Sequence, residues 1–287
     1  MTRIAVSALE GALVNVEQNG NGPVVVVLHG FTGSTETWRS FIDAARSDYT
    51  LIAVDLPGHG DSDSPDDPGL YSMERHVQAL IEILDGLGLQ RVAWLGYSLG
   101  GRVALSVAIA HPARTLALVL ESASPGLARL EERSVRVRED EMLADWIEEV
   151  GIDRFVGYWE SLPLWDSQTR LPTEAQEELR RRRLHNDPRG LANSLRGVGA
   201  GAQPTLHDRL HRFSAPTLIV AGEDDIRFSA IAREMELATS QSQLQILPGT
   251  GHAAHLEQPD QFNRTVMDFL KTALAASPSL TTNPRSR

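Results

Sequence analysis

From Thr2 to Pro125, short apolar runs alternate with longer stretches whose apolar residues recur at i, i+3 and i+4. Arg3–Ala8 and Ala12–Gln18 alternate apolar and polar positions around Glu10-Gly11, predicting an opening antiparallel pair. Val24–Leu28, Leu51–Asp55, Val92–Gly96 and Leu116–Glu121 are nearly continuous in apolar residues, as strands buried on both faces are. The helical spacing falls on Thr37–Ala45, Ser72–Leu87 and Leu99–Ala110. Apolar strands separated by amphipathic helices predict a parallel sheet covered on both sides.

The rhythm then breaks. From Gly126 to Phe213 there are charged helical stretches punctuated by Pro163, Pro172, Pro188 and Pro204, and no strand pattern. Strands return at Thr217–Ala221 and Leu244–Leu247, and a last helix runs from about Pro259 to Ala275. The pattern predicts one α/β core, residues 1–125 and 214–275, with a helical cap inserted at 126–213. The tail, 276–287, is rich in Ser, Thr, Pro and Asn and predicts disorder.

Composition narrows the chemistry. A chain of 287 residues buries a full core without staples, and zero cysteines excludes disulfides, thiolate zinc sites and a cysteine nucleophile. A net charge of -11 argues against a nucleic-acid or anionic-membrane surface. Lys271 is the single lysine, so a cation aimed at a ligand is expected to be arginine. The start lacks the apolar core of a signal peptide, and Val24–Leu28, the longest strongly apolar run, is far too short to span a bilayer. A cytoplasmic protein acting on a small molecule, as a monomer or small homo-oligomer, is the expectation.

Gly96-Tyr97-Ser98-Leu99-Gly100 is a G-x-S-x-G pattern between a predicted strand and a predicted helix. That context exposes a serine hydroxyl on a strained turn, at a helix N-terminus that favours developing negative charge. The serine needs a base, and the base an orienting carboxylate. Glu223, Asp224 and Asp225 follow one late strand, with Asp225 preferred as orienter. His252 lies in a Gly-rich loop after the last strand and is preferred as base, whereas His255 reads as a cap for the segment after it. All sit past the carboxyl ends of strands, where open α/β sheets place their sites. His29-Gly30-Phe31 follows another strand, so the amides of Phe31 and Leu99 are expected to form an oxyanion hole above Ser98.

These residues resemble the α/β-hydrolase superfamily. Glu121-Ser122-Ala123-Ser124-Pro125-Gly126-Leu127, Arg133 with Arg136, Trp159-Glu160-Ser161-Leu162-Pro163 and Arg183-Leu184-His185-Asn186 resemble, more narrowly, the MenH family. So do Gly190–Gly197 and Gln203-Pro204, and the likeness runs from the first strand to about residue 270. The resemblance implies an α/β-hydrolase fold and a lyase of menaquinone or phylloquinone biosynthesis, working without metal or organic cofactor. Its substrate would be a cyclohexene bearing ring, succinyl and enolpyruvyl carboxylates. Ser98, Asp225 and His252 would form the triad that takes a ring proton, with pyruvate eliminated.

By the same resemblance, Tyr97, Arg102, Arg136, Trp159 and Arg183 fall on substrate-contact positions. Arg133 could replace Arg136, and Arg180–Arg183 offers four registers. Guanidinium suits a polycarboxylate because it grips each carboxylate with two parallel hydrogen bonds. Arg102 is one helical turn after Ser98 and so shares its face. Rival readings are a serine hydrolase acting on an ester or a carbon–carbon bond, and a catalytically dead small-molecule binder.

Overall fold

A computed structural model describes residues 2–275; the tail expected to be disordered lies outside the described residues. Eight strands form one sheet: β1 Thr2–Ala5, β2 Leu13–Gly20, β3 Val24–Leu28, β4 Thr50–Val54, β5 Val92–Tyr97, β6 Thr115–Glu121, β7 Thr217–Gly222 and β8 Ser242–Leu247. Their order is β1-β2-β4-β3-β5-β6-β7-β8, antiparallel where β2 meets β1 and β4, and parallel from β4 to β8. Every residue of β4 and β5 is buried, because helices cover both faces; β8, at the edge, alternates. This is the α/β architecture that the apolar runs predicted.

Among the described residues the α-helices are α1 Arg39–Ala45, α2 Met73–Gly86, α3 Leu99–Ala110, α4 Leu130–Glu160, α5 Thr173–Leu184, α6 Pro188–Val198, α7 His207–Leu210, α8 Ile226–Ala238, α9 Ala254–Glu257 and α10 Pro259–Ala275. One apolar cluster joins α2 and α3 to a sheet face; a second joins α1 and α10 to the other. A third, with Ile147, Phe155 and Leu191, packs α4 against α6 and reaches Phe31. Between β6 and β7 the chain is helical and irregular. α4 is broken at Gly151, whose φ of 75° lies outside helical space. None of these helices is long and apolar enough to cross a membrane.

The opening strand is shorter than its alternation predicts. Ser7–Leu9 turns into a 3-10 helix that buries Ala8 and Leu9, and the Glu82 carboxylate accepts from the Ser7 and Ala8 amides. α8 was not expected. It starts where the Asp225 side chain caps the Phe228 amide, a signal hidden among three consecutive acidic residues.

The loops around the site rest on buried neutral histidines. His29 donates from Nδ1 to the Gly30 carbonyl (2.7 Å) and accepts at Nε2 from the Leu56 amide (2.9 Å), tying the loop after β3 to the turn after β4. His59 lies 5.0 Å from the His29 ring, and His76 is anchored to the Ser72 carbonyl. Burial lowers the basicity of all three, His76 to about 4. The unfolded chain takes these protons near pH 6.5 while the folded protein resists them, so stability is lost as pH falls from 6.5 toward 4. The Tm is expected to drop by roughly 5 °C or more across that window. His76→Gln should flatten the slope; the same slope in the variant would contradict this account.

Candidate active site

Ser98 occupies the turn between β5 and α3 with φ 50° and ψ -109°, a conformation costly for a residue bearing a Cβ. The turn closes because two glycines let backbone approach backbone. A Cβ on Gly96 would lie 2.4 Å from the Gly100 carbonyl oxygen, and one on Gly100 would lie 2.2 Å from that of Leu28. The Ser98 amide donates to the Glu121 carbonyl (2.8 Å), fixing the elbow to β6.

Ser98 Oγ is 3.1 Å from His252 Nε2, and His252 Nδ1 is 2.7 Å from Asp225 Oδ2. Asp225 caps α8 through its other oxygen, so its orientation is fixed by the helix start. Asp224 instead pairs with Arg170 at the surface, and Glu223 accepts from the Gly249 amide. The His252 ring is enclosed by Phe228 (4.6 Å), Tyr97 (5.5 Å) and Trp165 (5.6 Å). Burial first, and then Glu121, raise the Tyr97 phenol well above its ordinary range, so it stays protonated.

His255 is no cap. Its amide and Nδ1 both donate to the buried Glu121 carboxylate, at 3.0 and 2.8–2.9 Å, and its ring lies 4.7 Å from Tyr97. Glu121, at the end of β6, therefore pins the loop that carries His252. Sequence pattern gave no sign of this pair because it brings together residues distant in the chain.

Above Ser98 lies a cavity of about 240 Å³ lined by Phe31, Tyr97, Leu99, Arg102, Arg136 and Trp159, among others. Among the described residues, no turn, loop or cap hydrogen bond uses the Phe31 or Leu99 amide, which leaves both available to an oxyanion. Arg102 donates from Nη1 to the Val198 carbonyl (2.8 Å) and to Gln203 Oε1 (2.9 Å), both neutral. Arg136 is held through Nε by the buried Asp140 (2.7 Å).

The structure corrects the expectation for Arg183. Of the four consecutive arginines it is the buried one, but it binds Glu160 (3.1 Å) and Gln168 (2.9 Å) and lies against Trp165. It lines a separate depression together with Glu160 and Gln168. Arg133 does not line the cavity either. Arg227, which no sequence motif singled out, does.

A family model described as alpha/beta hydrolase fold matches residues 23–259. A Bacillus subtilis (strain 168) protein named for 2-succinyl-6-hydroxy-2,4-cyclohexadiene-1-carboxylate synthase activity is 46% identical, over 86% of this chain and 89% of its own. The solved MenH structure from S. aureus superposes with a TM-score of 0.87 at 36% identity, covering 91% of this chain and 98% of that one. The chain belongs to the MenH family, within the α/β-hydrolase fold. An esterase from Thermogutta terrifontis, solved with malate bound, is also similar: TM-score 0.84, 26% identity, 95% of this chain and 98% of that chain.

The electrostatic character of the cavity in this MenH-family chain is set by Arg102. Burial lowers its basicity to about 10; Asp140 opposes that shift and Arg136 adds to it. It stays charged at neutral pH, without a hydrogen-bonded carboxylate, at a cost to the folded state that is relieved only as pH rises through about 10. Arg102→Met is therefore expected to keep or raise the Tm at pH 7 while weakening carboxylate binding by about 10-fold or more. Thermal melts and carboxylate titration check both halves; a variant that melts lower and binds normally would contradict this.

Proposed function

We propose that this chain is a carbon–oxygen lyase of menaquinone or phylloquinone biosynthesis. It converts 2-succinyl-5-enolpyruvyl-6-hydroxy-3-cyclohexene-1-carboxylate to 2-succinyl-6-hydroxy-2,4-cyclohexadiene-1-carboxylate and pyruvate. The observation that carries this reading is a serine within hydrogen-bonding reach of a buried histidine, opening onto a cavity lined by arginines. The names of its relatives supply the product, and the family resemblance supplies the substrate and the loss of pyruvate.

In this reading Asp225 holds the Nδ1–H tautomer of His252, leaving Nε2 to accept the Ser98 proton. The serine oxygen takes the ring proton beside the succinyl ketone as its own proton passes to His252. The C–H electron pair moves into a dienolate, whose oxygen is met by the Phe31 and Leu99 amides. Collapse forms the second ring double bond and breaks the carbon–oxygen bond. The departing enolpyruvate takes the bond pair, recovers a proton from the imidazolium and tautomerises to pyruvate. Arg102 and Arg136 hold carboxylates throughout, so binding energy from groups remote from the reacting carbon orients the ring. Trp159, packed on Phe31 with ring centroids 5.4 Å apart, walls the ring on the cap side.

The esterase likeness favours one second reading, an ester hydrolase using the same serine as nucleophile. Arginines in the cavity disfavour it, since an apolar ester offers their remaining N–H donors no carboxylate. Incubation with the enolpyruvyl cyclohexene should give the diene chromophore and stoichiometric pyruvate. Nitrophenyl ester cleavage without pyruvate release would favour the hydrolase instead. Ser98→Ala and His252→Ala should each lower kcat by about 100-fold or more. Pyruvate release near the wild-type rate in either variant would end the triad assignment.

A further inference from the structure

Arg227 stands two residues after Asp225, in the first turn of α8, on the core side of the cavity. Its guanidinium lies over the Phe228 ring, 5.8 Å from the centroid, and that ring packs edge-on against His252 at 4.6 Å. Among the described residues no acidic side chain within ion-pair distance faces it, and it makes no side-chain hydrogen bond, unlike Arg136 with Asp140 and Arg183 with Glu160. It is exposed at the cavity edge, whereas Arg102 and Arg136 stand close enough for the charge of Arg136 to lower the basicity of Arg102. The cations therefore fall into two groups, a pair on the Val198 side and a single guanidinium on the imidazole side.

The substrate of the proposed reaction, on which this inference rests, carries three carboxylates, and Arg183 lines the depression beside Glu160 and Gln168 and not the cavity above Ser98. A trianion approaching a chain of net charge -11 needs compensation at each carboxylate. We propose that Arg227 is the third carboxylate ligand, supplied by the core and not by the cap. Stacking on Phe228 restricts the guanidinium without occupying its donors, so the planar fork remains open to a carboxylate. The same ring bears on His252, which places the gripped carboxylate on the imidazole side of the bound ring. Arg227 is thereby a binding residue: it acts on how tightly the substrate is held, while proton transfer stays with Ser98 and His252.

The test is steady-state kinetics of full-length Arg227→Gln and Arg227→Lys beside wild type, with pyruvate as readout. Arg227→Gln is expected to raise KM about 10-fold or more, with kcat within about threefold and the Tm unchanged. Arg227→Lys should recover part of the loss. The salt dependence of kcat/KM should be shallower in the glutamine variant, because one ionic contact to the substrate has been removed. Active wild type with an unchanged KM in Arg227→Gln would overturn the assignment while sparing the lyase reading. If wild type forms no pyruvate, the lyase reading falls first. Citrate titration followed by tryptophan fluorescence then decides for Arg227: at least 10-fold weaker binding by Arg227→Gln supports an anion site, and equal affinity overturns it.

Discussion

The site depends on one close approach, that of α3 to β3 and β5. Only hydrogen at Gly96 and Gly100 lets the backbones come together, and that contact forces Ser98 to the positive φ that lifts its hydroxyl clear of the sheet. The same geometry turns the Leu99 amide out of the helix ladder. It also puts Arg102 one turn away, facing the same cavity. The Ser98 hydroxyl, the Leu99 amide and the Arg102 guanidinium therefore come from a single turn of chain. A Cβ at either glycine would displace all three together.

Around this rigid centre, charge is distributed in opposite ways. Carboxylates that orient protein groups are fully engaged: Asp225 on His252 and the Phe228 amide, Asp140 on Arg136, Glu121 on His255. The cations aimed at the cavity keep donors unspent. Arg102 leans on neutral oxygens, and Arg227 on an aromatic ring. Guanidiniums held this way keep N–H donors free, which under the proposed function suits a polycarboxylate better than an ester of similar shape.

The fold was legible because period decides it. Runs such as Val24–Leu28 and Val92–Gly96 have no polar face, as strands covered on both sides do, and the structure buries them apart from a half-buried Val24. α8 escaped notice because its start is an acidic cluster and its exposed positions include Ile226 and Leu237, which blur the helical stripe. The elbow and the loops carrying Asp225 and His252 were readable from turn chemistry next to strands. The Glu121–His255 contact was not, since it joins residues 134 apart whose local patterns say nothing of each other.

The succession of strands and helices, the place of the Ser98 turn and the near restriction of long-chain cations to arginine were set by the sequence itself. They arise from local causes that act over a few residues: side-chain period, glycine's missing Cβ and the near absence of lysine. Which arginines meet in the cavity was a tertiary decision. Arg183 and Arg227 are alike in chemistry and both sit on helices, yet Glu160 and Gln168 hold one by hydrogen bonds, while Phe228 supports the other through its ring alone. A guanidinium's availability is set by the groups packed against it, and for Arg183 those come from other segments of the chain.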